Sequence, residues 1–142
     1  IRLTPRRRRV AISKLVKKLR MQPGQRVLIM NAPEGYIASL GELPEGVAVS
    51  EVAEGKYTFV HLFVRDSGQL DELLPVAVES AEYDGLFWIS YPKKSSKVDT
   101  DLSRDLFWDL VVAGTSLRPV TQVSVDNVWS ALRFRPKEQV GK

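Results

Sequence analysis

Apolar and polar positions alternate along this chain in two different periods, and the changes of period mark its elements. After nine arginine-rich residues, Ile12, Leu15, Val16 and Leu19 recur at helical spacing, and Pro23-Gly24 ends that helix. Arg26–Asn31 is a continuous apolar run of the kind a strand buried on both faces requires. The loop Asn31–Gly35 leads to a short helix near Tyr36–Leu40, and Leu43-Pro44-Glu45-Gly46 turns the chain into a strand at 47–52. A third strand, rich in aromatic and β-branched residues, covers 57–64. Next comes the clearest helix, with Leu70, Leu73, Leu74, Ala77, Val78 and Ala81 on one face. Pro75 interrupts it, at a cost of about 3 kcal/mol unless the helix kinks there.

Residues 85–91 form a fourth strand, and Thr100 or Asp101 caps a helix that runs to Ala113 before Gly114. Two strands, 118–125 and 128–135, close the chain around a tight Asp126-Asn127 hairpin. The order predicts an α/β fold of three-layer, Rossmann-like form, with a mostly parallel sheet and an antiparallel C-terminal hairpin. Residues 10–136 are expected to form one domain, flanked by a flexible basic arm at 1–9 and a tail at 137–142.

Charge changes this picture only at the N-terminal end. Nine of the 21 basic residues lie within positions 1–20, where there is no acid, so 12 remain against 17 acidic residues elsewhere. The net +4 therefore belongs to the leader, and the body is negative. Arg6, Arg7, Arg8 and Arg9 have the composition of an electrostatic contact with nucleic acid or an acidic surface. No nucleic-acid-binding motif accompanies them. With no cysteine and one histidine, thiol chemistry and multi-histidine metal sites are excluded, and the chain is expected to be cytoplasmic with no membrane span.

Two stretches carry a resemblance. Met21–Ile29, with its Pro-Gly turn before a buried strand, and Asp84–Ile89, with the closing strand pair, resemble class I S-adenosylmethionine-dependent methyltransferases. Residues 14–136, and above all Asn31–Tyr36 and Trp88–Ser95, resemble a family of short bacterial proteins that brings a fold and a bacterial setting but no activity. The first resemblance implies S-adenosylmethionine as cofactor, with Glu51 in the place of the ribose-binding acid. The sequence departs from it after the first strand, where the glycine-rich loop is replaced by Asn31-Ala32-Pro33-Glu34-Gly35, and one strand of the usual set has no counterpart.

In an open α/β sheet, ligands bind beyond the carboxyl ends of the strands, at the point where strand order reverses. The first and third strands are expected to flank that point, so Asn31, Glu34, Tyr36 and Arg65 would share a rim with the next exit, Tyr91, Lys93, Lys94, Ser95, Ser96 and Lys97. Three lysines and two hydroxyls in that last loop suit a small anionic ligand. Glu34 beside a lysine is a candidate acid or base, Asp66 a helix cap, His61 a packed strand residue, and Trp88, Trp108 and Trp129 core or sheet-face residues. Neither a nucleophile elbow nor a phosphate-binding loop occurs. The sequence thus predicts no catalytic residue, metal or cofactor, and a non-catalytic module that binds a small anion or a partner. The alternatives are a reduced methyltransferase and a nucleic-acid or acidic-surface binder acting through the arm.

Overall fold

A computed structural model describes residues 11–142. The arm at 1–9, with Arg6–Arg9, lies outside them. The elements run α1 (Lys14–Lys18), β1 (Arg26–Met30), α2 (Tyr36–Ser39), β2 (Ala48–Ser50), β3 (Tyr57–Phe63), α3 (Ser67–Ser80), β4 (Ala81–Pro92), α4 (Arg104–Gly114), β5 (Leu117–Ser124) and β6 (Trp129–Pro136). A 3-10 turn follows at Lys137–Gln139.

The six strands form one sheet in the order β2-β1-β3-β4-β6-β5. Strands β2, β1, β3 and β4 pair in parallel, and β6 pairs antiparallel with both β4 and β5. Strand order reverses between β1 and β3, as the sequence predicts. The alternation of side chains along each strand divides the core in two. Val27, Ile29, Phe59, Phe63, Trp88, Trp129 and Ala131 pack with Val16 of α1, with Leu19 just after that helix and with Tyr36 of α2. On the opposite face Leu28, Met30, Val60, Leu62, Phe87, Ile89, Tyr91, Leu132 and Phe134 pack with Leu70, Leu74 and Ala77 of α3 and with Phe107 and Val111 of α4.

Local chemistry sets the ends of these elements. Ser13 caps α1, Asp66 caps α3 and Ser103 caps α4, each accepting from a backbone N–H three residues on. The α4 cap is thus neither Thr100 nor Asp101, because both are engaged with the β3 exit described below. Helix α3 continues through Pro75 rather than breaking there. Strand β4 follows α3 with no intervening turn and begins four residues earlier than its apolar run. The extra residues form a bulge: Tyr57 faces Ala81 and Phe59 faces Leu86. Within it Asp84 adopts a φ of 54°, and Gly85 approaches β3 so closely that a Cβ there would lie 3.0 Å from the Thr58 carbonyl oxygen. Asp84 receives both arms of Arg135, from Nε at 2.9 Å and Nη2 at 2.8 Å. This charged hydrogen-bond pair holds the Asp84 carboxyl below its usual range.

The hairpin is wider than two residues. It spans 125–128, and Asp126 Oδ1 accepts from the N–H groups of Val128 and Trp129, each at 2.8 Å. The sheet margins differ in length: β2 has three residues, whereas β5 has eight and includes Pro119.

Candidate functional site

The β1, β3 and β4 exits lie on one edge of the sheet. Met30 is level with Leu62 and Leu62 with Ile89, and β4 then runs on to Pro92. Because β6 is antiparallel and pairs Trp129 with Pro92, the 125–128 turn joins the same edge. Asn31 and Lys94 therefore emerge on the same rim, two strands apart.

Side chains stitch these exits together. Asn31 stands at a φ of 58°, a left-handed conformation that asparagine tolerates. Its Nδ2 donates to the Phe63 carbonyl at 2.9 Å and to Gln69 Oε1 at 3.1 Å. Gln69 Oε1 also accepts from the Arg65 N–H at 2.8 Å. Ser67 donates to Asp101 through its N–H, at 2.9 Å, and through its hydroxyl, which holds the Asp101 carboxyl low. The Thr100 hydroxyl donates to the Arg65 carbonyl. The loop between β4 and α4 is thus tied down onto the β3 exit.

The candidate residues divide into three groups. Lys93 is committed to the hairpin: its ammonium donates to Ser124 Oγ at 2.6 Å and to the Asp126 carbonyl at 2.5 Å. Ser96 donates from its hydroxyl to the Lys93 carbonyl at 2.7 Å, closing the turn. Tyr36 and Tyr91 are core residues. Tyr91 stacks on Phe107 with ring centroids 4.5 Å apart, and burial raises its hydroxyl pKa. Glu34, Arg65, Lys94, Ser95 and Lys97 are exposed, with no side-chain hydrogen bond or ion pair among the described residues.

Beneath the β1 exit lies an arrangement that sequence periodicity does not reveal. Ser90 Oγ lies 2.6 Å from His61 Nε2, and His61 Nδ1 lies 3.4 Å from the Tyr36 hydroxyl. All three residues are buried. Phe63 stacks on His61 at 4.3 Å and meets Tyr36 and Trp129 edge-on at 4.6 Å and 5.2 Å. Burial lowers the imidazole pKa to about 3, so it stays neutral, while burial and then the Asp126 charge raise the Tyr36 hydroxyl. The order Ser-His-Tyr has the connectivity of an activated nucleophile, but neither Ser90 nor His61 presents surface to a substrate. The observed role is a satisfied polar chain in the core. Sequence reading places His61 as a packed residue, in agreement. The signal for its partners is register: His61 and Ser90 lie one strand apart on the same face.

Glu51, just past β2, is exposed and makes no contact of this kind with the rim network. Among the described residues no group of three potential metal ligands occurs, and no helix is long and apolar enough to cross a membrane.

No protein-family model and no curated protein matches the chain. Solved structures do. A ribosomal protein L11 methylase from Lactobacillus delbrueckii subsp. bulgaricus superposes with a TM-score of 0.55 at 13% identity, over 86% of this chain and 74% of that one. A SAM-dependent methyltransferase from Aquifex aeolicus gives 0.55 at 15% identity, over 85% and 87%. The fold is methyltransferase-like. The 1,6-didemethyltoxoflavin-N1-methyltransferase of Burkholderia thailandensis, solved with S-adenosylhomocysteine, gives 0.56 at 13% identity, over 86% and 76%. At these identities the likeness establishes the methyltransferase-like architecture, and function has to be argued from the site.

Proposed function

We propose that this methyltransferase-like chain is a non-catalytic binding module that holds a small anion at its sheet rim through Arg65, Lys94 and Lys97. One observation carries this reading. These three cations are exposed, without an ion-pair partner among the described residues, on loops that hydrogen bonds fasten to one another, while Lys93 and Ser96 serve to brace the turn that presents the other two lysines. Fixed backbone with free charges favours recognition, because little ordering is needed on binding. Ser95 supplies a hydroxyl beside Lys94, and Asn31 contributes by fixing the β1 and β3 exits. Asp99 and Asp101 on the same loop bias the site toward a compact anion that can reach the lysines.

The β1 exit supports the non-catalytic part of the proposal. Pro33 has no N–H to offer a ligand, the Asn31 side chain is spent on β3 and α3, and the Tyr36 ring fills the space beneath the loop. These residues do not fit the glycine-lined approach that S-adenosylmethionine takes in the resembling enzymes. The fold itself favours a second reading, a reduced S-adenosylmethionine-dependent methyltransferase.

Calorimetric titration separates the two. Inorganic pyrophosphate is expected to bind the parent chain, and Lys94→Ala and Lys97→Ala each to weaken it about fivefold, the scale of one exposed charge pair. Unaltered affinity in both variants overturns the anion site. Saturable binding of S-adenosylmethionine or S-adenosylhomocysteine establishes the second reading in its place.

A further inference from the structure

A separate concavity has none of Arg65, Lys94 and Lys97 in its lining, although Ser67 and Gly68 at one end of it follow closely on Arg65. A groove of about 620 Å³ runs between α3 and α4, a volume within the range of ligand clefts. Its floor is apolar, formed by Leu70, Leu74, Val78 and Leu110. Helix α4 buries only Phe107 and Val111, leaving Leu106, Trp108 and Leu110 at 39%, 43% and 39% exposure. Trp108, exposed on a helix, is therefore not the core or sheet-face residue expected from sequence.

The walls are acidic. Asp71 and Glu79 both line the groove from α3, and Glu72 and Asp109 are exposed on the same two helices. Among the described residues none of these four carboxylates is in an ion pair. Lys56 donates to the backbone carbonyl of Glu79 and not to its carboxylate. A third acceptor is built in: Pro75 also lines the groove and has no N–H to return to the Asp71 carbonyl one turn earlier.

We propose that this groove docks a short, extended, basic segment of a protein partner, in the pattern Arg-Xaa-Leu-Xaa-Arg. Spacing and charge dictate the pattern. Asp71 and Glu79 are eight residues apart on a helix, about 12 Å at a rise of about 1.5 Å per residue. In an extended chain, residues four apart are separated by about 13 Å and point the same way, as does the residue midway between them. Two arginines so placed meet Asp71 and Glu79 while the central leucine enters the floor between Leu74, Val78 and Leu110. A guanidinium at the first position also reaches toward the Asp71 carbonyl, to which Pro75 cannot donate. Exposed apolar surface next to unpaired charge of one sign is the mark of an interaction site for the opposite charge.

The test uses the full chain, labelled with nitrogen-15, and the heptapeptide Ser-Arg-Ser-Leu-Ser-Arg-Ser as probe. Saturable shifts are expected at the amides of Leu74, Val78, Leu110 and Ser116. Affinity should fall about tenfold or more in the double variant Asp71→Asn/Glu79→Gln, and in Leu110→Glu. Near-ultraviolet circular dichroism confirms that each variant keeps its packing. Equal binding by a peptide with glutamate for both arginines, or by one with the arginines adjacent, overturns the proposal, as does the absence of shifts in the groove at millimolar peptide. Concentration-dependent shifts in the same residues without peptide would assign the groove to a second copy of the chain and overturn it equally.

Discussion

Acidification from pH 7 to pH 5 should cost this protein about 2 kcal/mol of stability through one side chain, His61. Its imidazole is wholly buried, and burial lowers its pKa from 6.5 to about 3. The unfolded chain exposes the ring and takes up a proton near 6.5, while the folded chain refuses it. The unfolded state thus binds more protons below 6.5, so this contribution is fully present above pH 6.5 and is lost as pH falls toward 3. Between pH 6.5 and pH 5 lie one and a half units at about 1.4 kcal/mol each, which gives the figure. The chain has only one histidine, so no other imidazole shares the slope. Urea unfolding followed by the fluorescence of buried Trp88, at pH 7, 6 and 5, measures it. His61→Leu, which is similar in bulk and does not titrate, should flatten the profile whatever its absolute stability. Carbon-bound imidazole protons in the folded parent should show no titration above pH 4. A parent profile flat from pH 7 to 5, or a slope surviving in His61→Leu, would refute the reasoning.

Two further outcomes follow from the packing. Trp88 Nε1 donates to the Leu19 carbonyl at 2.9 Å and so anchors the end of α1 to the sheet. Trp88→Phe should cost about 1–3 kcal/mol and speed amide exchange in α1 more than in α3, as hydrogen-exchange mass spectrometry would show. Pro75→Ala restores the α3 hydrogen bond to Asp71 and should raise stability by about 1–3 kcal/mol in urea unfolding. The same variant should weaken the arginine-bearing heptapeptide.

The sheet was legible because its strands are bounded apolar runs between Gly, Pro and Asp turns. The convergence of Asn31 and Lys94 on one rim followed from strand order alone. What escaped sequence reading is the competition for polar side chains. Thr100 and Asp101 are as good helix caps as Ser103, but in three dimensions the Arg65 carbonyl and Ser67 claim them. Lys93 differs from Lys94 only by one position, yet the 2.6 Å backbone bond to Val128 turns it toward the hairpin. Tyr36 and Tyr91 carry hydroxyls that look available until burial is known. Trp108 misled in the opposite direction: helical periodicity fixes which residues share a face, but not whether anything covers that face. The α3–α4 groove depends on the distance between two helices far apart in sequence, which no local pattern encodes.

The margins of the sheet decide how other molecules can approach it. Edge strands are templates for pairing with a stranger's backbone, and proteins blunt them. Here one margin, β2, is three residues long, too short to nucleate a ladder, and the other, β5, contains Pro119, which withholds an N–H. Growth by strand addition is discouraged on both sides, so polymerisation through the sheet is not an easy fate for this chain. Any lasting association is left to its helical faces and its loops, where side chains rather than main chain select the company it keeps.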